Sequence, residues 1–234
     1  VTWVTAFAAL GVVFGFLATS VTDLLRSNPA TARVLAGDAA GASNFVFAFV
    51  VTILQLTGLI AAIAGVQIMN RIVVEEHEFR VEPLLATALR RQTYLASNIA
   101  VAFLVPAVCL LIGATVIGIV ATGAGVDIAV GDVIAQAAVT VAAVWVLIAL
   151  ACAAVGARPQ LRLAGWLAIV ATFGLTILGP TFKLPNWALS ISPLRHIPVV
   201  TARTPNWPGL ALLCAVVVVF TAIAFAGFGR RDIA

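Results

Sequence analysis

The amino-acid sequence predicts an all-α integral membrane protein of about six transmembrane helices, and three observations carry that expectation. Of 234 residues, 63% are hydrophobic and only 9% are charged, with a mean hydropathy of +1.16. A soluble domain carries roughly a quarter charged residues, so no water-soluble fold could hide this much apolar surface. The apolar residues also gather into six runs near the ~20 residues that one helical crossing of a bilayer needs. Finally, the charged residues stand at the ends of those runs and between them.

In chain order, the expected spans are Trp3 to Val21, Phe45 to Met69, Tyr94 to Ala121, Val133 to Gly156, Ala164 to Phe182 and Gly209 to Phe228. Together they predict a single six-helix transmembrane domain over 1–234, with a polar segment at 70–93 and loops at 22–44 and 183–208. The first run is closed by Asp23 and Arg26. Its Ala18-Thr19-Ser20 resembles a cleavage site, but no Lys or Arg precedes Arg26, so the positive leader of a signal peptide is missing. Val1 in place of Met suggests processing or a longer parent polypeptide. Gly11 and Gly15 make a G-x-x-x-G, which suits either ordinary close helix packing or a dimer seam. The second run ends at Asn70 and Arg71; the third holds Pro106, which removes a backbone donor and is expected to bend it. The fourth and fifth are divided by Arg158 and Arg162, and the sixth is closed by Arg230 and Arg231.

Short loops rich in Lys and Arg stay on the cytoplasmic side. Arg71, Arg80, Arg90, Arg91, Arg158, Arg162, Arg230 and Arg231 fall on one set of alternating loops, while Arg26, Arg33, Lys183, Arg195 and Arg203 fall on the other. The eight against five place both termini and the 70–93 segment in the cytoplasm. Trp3, Trp187 and Trp207 lie at run ends, where indole rings settle at the headgroup level.

A proton- or sodium-coupled carrier usually needs ionisable groups at mid-membrane, and none falls there. The polar residues within the runs are neutral, among them Gln55, Gln67, Asn98 and Gln136. No G-x-x-x-x-G-K-[ST] loop occurs, so any ATP and Mg must be held by a partner and not by this chain. Neither H-E-x-x-H nor G-x-S-x-G is present, and no catalytic constellation or cofactor site is expected. Glu75-Glu76-His77-Glu78 looks like a ligand cluster, but successive helical residues point about 100° apart, so no metal site is expected there. Cys109, Cys152 and Cys214 each lie inside an apolar run, without the C-x-x-C spacing of a metal or redox pair. The net charge of +4 and pI near 9.6 come from scattered cations without a basic stripe, which argues against nucleic acid.

The charge-dense stretch from Arg71 to Arg91 reads RIVVEEHEFRVEPLLATALRR. Arg71, Glu75, Glu78 and Glu82 recur at three- and four-residue spacing, with Phe79, Leu84 and Leu85 as apolar contacts. Two readings stand on the residues alone: a solvated loop, or a surface that docks on another protein. The pattern Glu75-Glu76-x-x-x-Arg80-x-Glu82-x-Leu84-Leu85-Ala86-Thr87, followed by Arg90, resembles the signature of ABC-2-type (type V) exporter permeases. Further stretches resemble the tetronasin-type, or polyketide antibiotic, subgroup. These are Leu24-Leu25-x-Ser27-Asn28-Pro29, Leu184-Pro185-Asn186-Trp187, Ser192-Pro193-Leu194-Arg195-His196-Ile197-Pro198 and Gly229-Arg230-Arg231-Asp232-Ile233.

Permeases of that subgroup are typically two six-helix repeats, and this chain is most similar to the second. The resemblance implies the membrane part of a multidrug or antibiotic-resistance exporter in a bacterial cell membrane. Its partners would be two copies of an ABC ATPase subunit, a second homologous six-helix half and membrane lipid. Glu75, Glu76, Arg80, Glu82, Leu84, Leu85, Arg90 and Arg91 would then couple to the ATPase. The cargo would be a hydrophobic or amphipathic compound, with Gln55, Asn98 and Gln136 as candidate path residues; the alternative is that these amides only bond neighbouring helices. Rival readings are a membrane assembly or scaffold subunit that recruits a cytoplasmic partner, and a related permease exporting lipid or polysaccharide.

Overall fold

The computed structural model describes residues 2–27, 42–77 and 91–230. Among these the chain is helical and holds no strand. Six principal helices follow one another: α1 (Thr2–Ser27), α2 (Ala42–His77), α3 (Arg91–Gly123), α4 (Val130–Ala157), α5 (Ala164–Phe173) and α6 (Trp207–Arg230). The chain is thus an all-α, multi-pass membrane protein. Five of the helices, all but α5, are long and apolar enough to cross a membrane.

The fifth expected span, Ala164 to Phe182, is a composite. α5 passes into a π-helical stretch, Gly174–Leu178, and then an α-turn, Gly179–Thr181. Gly174, Gly179 and Pro180 explain the change, since glycine lacks the stiffness of a substituted residue and proline cannot donate to the preceding turn. Elsewhere the helices outrun the apolar runs. α1 continues to Ser27 and α2 to His77, because Thr22 to Ser27 and Asn70 to His77 hold no Gly or Pro to stop them. Charge limits burial in lipid, not helicity.

Small residues fix how the helices meet. On α1 the buried positions Phe7, Gly11, Gly15 and Ala18 form one narrow stripe at three- and four-residue spacing. A Cβ on Gly11 would lie 2.8 Å from the Gly113 carbonyl oxygen, and one on Gly15 would lie 2.6 Å from Val120 Cβ. The G-x-x-x-G therefore packs against α3 of the same chain. Gly58 faces Thr140 and Val144, and Gly65 faces Ile148 and the Ala102 carbonyl, so α2 runs alongside α4 and against α3. Gly165 meets Ala151 and Val66. These registers make α1, α3 and α5 run one way and α2, α4 and α6 the other. In the spanning windows of α2 and α4, 61% and 67% of residues are buried, against 22% in α1 and in α6, so the core sits around α2 and α4.

α3 runs unbroken through Pro106. Proline cannot donate to the Ala102 carbonyl, and Gly65 packs so closely there that a Cβ would sit 2.9 Å from that oxygen. The next carbonyl, of Phe103, accepts the Trp145 indole N–H at 3.1 Å, and the two rings stack with centroids 5.6 Å apart. Trp3 packs on Phe7, its ring centroid 6.2 Å away, and is half-buried, whereas Trp187 and Trp207 are exposed.

Candidate functional site

The two ends of the bundle are closed in different ways. At one end, called here the tail end, the α4–α5 link passes near the last turns of α2. With its amide turned to satisfy both neighbours, Asn70 donates to the Arg162 carbonyl at 3.0 Å and accepts from the Trp166 indole at 2.9 Å. Glu75 and Glu76 lie on the final turn of α2 and Arg91 opens α3. Arg80, Glu82, Leu84, Leu85 and Arg90 lie outside the described residues.

At the loop end, the stretch expected as a loop at 183–208 is folded. Lys183 takes a positive φ of 50°, which ends the helical path, and the Leu184 N–H donates to the Gly179 carbonyl at 3.1 Å. Pro185 precedes a single helical turn, Asn186–Leu189, and Ser192 precedes a 3-10 turn, Pro193–His196, with proline at its first position. Asn206 caps α6, its Oδ1 accepting the Gly209 N–H at 3.0 Å.

Three side chains of the bundle hold this folded segment by its backbone and hydroxyls. Gln136 of α4 is fully buried; its Nε2 donates to the Pro198 carbonyl at 3.1 Å and its Oε1 accepts the Val200 N–H at 3.0 Å. Gln55 of α2 donates to the Leu194 carbonyl at a long 3.4 Å. Thr176, within the π-helical stretch, shares a hydroxyl–hydroxyl hydrogen bond of 2.9 Å with Ser192, itself 2% exposed. The 3-10 turn is further closed by His196 Nδ1 against the Ser192 carbonyl at 3.2 Å.

Beneath the segment lies a cavity of about 290 Å³, lined by Gln55, Leu175, Thr176, Leu189, Ser192, Leu194 and Arg195. A second, larger and more apolar cavity of about 490 Å³ opens between α4, α5 and α6, walled by residues such as Leu147, Leu150, Thr172, Leu213, Val216 and Phe220, with His196 at its rim. A third, of about 400 Å³, lies between α1, α2 and α5 and is lined by Phe14, Ile60, Ile63, Val170 and Phe173 among others. All three border α5 or the turns that extend it.

Of the three amides expected along a substrate path, Gln55 lines one of the three cavities described above, and Gln136 and Asn98 line none of these three. Gln136 has both ends of its amide engaged, and Asn98 donates to the Tyr94 carbonyl of its own helix at 3.0 Å. Asn98 also sits toward the tail end, twelve residues before Leu110, which faces Gly58; at 1.5 Å per residue that is about 18 Å along the axis. The structure therefore brings Gln55 and Gln136 to one end and leaves Asn98 near the other. Sequence reasoning missed Thr176, Ser192 and Arg195 as cavity residues. The signal was present in Ser192-Pro193-Leu194-Arg195-His196, a dense motif in a stretch otherwise read as a plain loop.

The sequence model of the family described as multidrug efflux system permease Rv1217c, C-terminal domain, matches residues 1–229. The chain belongs to that family. It is similar to the multidrug efflux system permease protein Rv1217c of Mycobacterium tuberculosis, with 30% identity over 238 aligned residues. That alignment takes in 99% of this chain but only 42% of the relative, so the chain spans less than half the length of the curated protein it matches. The bundle, its loop-end cradle and its cavities are thus features of an efflux-permease domain.

Proposed function

We propose that this chain is a transmembrane half of an ATP-driven exporter that moves a hydrophobic or amphipathic compound out of a bacterial cell. The observation that carries this reading is a bundle, matched over 1–229 by an efflux-permease family, whose apolar runs hold no Asp, Glu, Lys, Arg or His away from their ends that could couple transport to an ion gradient. With no phosphate-binding loop in the sequence, the energy comes from separate ATPase subunits that bind ATP and Mg. Two such subunits act on the cytoplasmic side, where both termini and the 70–93 segment lie. A second six-helix half completes the permease, a role supported by the match to a C-terminal domain and to 42% of the relative. The motifs at 184–187 and 192–198 favour a polyketide-type antibiotic as cargo.

In this mechanism closure of the ATPases pushes on Glu75, Glu76, Arg80, Glu82, Leu84, Leu85, Arg90 and Arg91. The Asn70 bonds to Arg162 and Trp166 would pass that displacement to the start of α5. α5, bordered by cavities on both sides, is the element with room to move. The test is drug accumulation in cells expressing the complete permease with its ATPase, against the same cells carrying an ATPase that cannot hydrolyse ATP. Accumulation should fall only with the active ATPase. Reversing charge at Glu75 and Glu82 together should abolish that difference and weaken ATPase co-purification, and intact coupling after this double change would sink the assignment of the segment.

A further inference from the structure

We infer that the loop-end cavity under residues 184–196 binds the oxyanion head group, a carboxylate above all, of an amphiphile, with Arg195 as the charge that selects it. This rests on the export reading only for its role in transport; the binding itself follows from the donors in the cavity.

Among the described residues Arg195 has no charge partner. Its Nη2 donates to Asn186 Oδ1, a neutral amide oxygen, at 3.1 Å, and among the described residues no carboxylate pairs with it. A guanidinium offers five N–H donors, and its planar fork matches a carboxylate bidentately. One hydrogen bond to an amide leaves most of that capacity unused.

The rest of the cavity adds donors and no negative charge. Thr176 and Ser192 carry two hydroxyl protons between them, and their mutual 2.9 Å bond uses one. Gln55 Nε2 uses one of its two protons on the Leu194 carbonyl, over a long 3.4 Å. Leu175, Leu189 and Leu194 supply the apolar wall beside these groups. The volume of about 290 Å³ equals roughly ten waters at their liquid volume, enough for a head group and the first carbons of a chain. Donors with spare protons, a guanidinium that meets no carboxylate among the described residues and leucine walls together describe an acceptor-rich anion carried on an apolar body. They do not describe a cationic or purely hydrocarbon ligand.

The carboxylate of a transported compound and the phosphodiester of an anionic lipid share this oxyanion chemistry, so the experiment separates them. The whole chain, in nanodiscs of zwitterionic lipid, is titrated with dodecanoate and with dodecanol, and intrinsic tryptophan fluorescence is followed. Dodecanoate should bind more tightly than dodecanol by roughly tenfold or more, the scale of one or two charge-assisted hydrogen bonds. Arg195→Gln should erase that preference, Arg195→Lys should keep part of it, and Lys183→Gln, an exposed cation of the same segment, should leave it unchanged. Equal binding of acid and alcohol overturns the proposal, as does equal loss in Arg195→Gln and Lys183→Gln. Competition by phosphatidylglycerol in the nanodisc assigns the site to lipid and overturns its place on the export path. Because no ATPase is present, failure here leaves the export reading standing, and failure of drug accumulation leaves this binding measurement intact.

Discussion

α4 and α5 are neighbours of similar composition that behave as opposites. α4 runs 28 residues without Pro and is buried over most of its length. Against α6 it approaches so closely that a Cβ on Gly156 would lie 2.5 Å from the Ala224 carbonyl oxygen, and one on Gly227 2.5 Å from Ala157 Cα. α5 keeps α-helical geometry for 10 residues before the π-helical stretch, and it exposes Leu167, Val170 and Phe173. It borders open space on two sides. Packed interiors have few voids and repack only at a cost, so under the export reading proposed above a change of shape costs less beside α5 than at the α4–α6 seam.

The comparison breaks most severely at the α4–α6 seam. Gly156→Val forces two backbones apart, and overpacking of this kind costs about 1–3 kcal/mol and occasionally more. We expect the upper end, read as a lowered midpoint of SDS-induced unfolding in mixed micelles followed by circular dichroism. Next is Gln136→Leu, which fits the space but strands the Pro198 carbonyl and the Val200 N–H. Each buried group left without a partner costs about 1–3 kcal/mol; because this loop end can readmit water, about 2 kcal/mol in all is expected. Faster proteolysis within 197–206 should accompany it, and unchanged proteolysis would mean that the amide does not hold the segment.

Smaller effects sharpen the same contrast. Thr176→Val removes one hydroxyl from the link between the π-helical stretch and Ser192, for about 1 kcal/mol. It should loosen the folded loop without disturbing the α4–α6 seam, which hydrogen exchange resolved by segment can check. Gly174→Ala is the mildest. A Cβ at Gly174 has no neighbour within 4 Å, and alanine gains up to about 1 kcal/mol over glycine in a helix. Unfolding should become slightly harder, and if the glycine serves motion of α5, transport should slow while stability rises.

Much of the fold was legible because the bilayer imposes a coarse rule that composition alone can satisfy. Runs of spanning length near Phe45, Tyr94, Val133 and Gly209 correspond to α2, α3, α4 and α6. Helix ends were less legible, as α2 shows: Asn70 to His77 stays helical although it reads as polar punctuation. The candidate site was legible only in fragments. Gln55 and Gln136 stood out as amides in apolar runs, but nothing in their spacing tells that one lines a cavity and the other clamps Pro198 and Val200. Asn98 looked equivalent to both and, among the described residues, bonds to the Tyr94 carbonyl of its own helix.

By itself the sequence determined the solvent of this protein and the number of its apolar runs, since both follow from how many uncharged residues stand in succession. It also determined that charged side chains stand only at or beyond the ends of those runs. Tertiary structure decided which small residues became helix contacts, that the fifth run became a composite helix bordered by cavities, and that the segment after it folded into a cradle. Those outcomes depend on which backbones approach closely enough to expel a side chain, and on which carbonyls are left for an amide from a distant helix. Neither quantity is set by any residue together with its immediate neighbours in the chain.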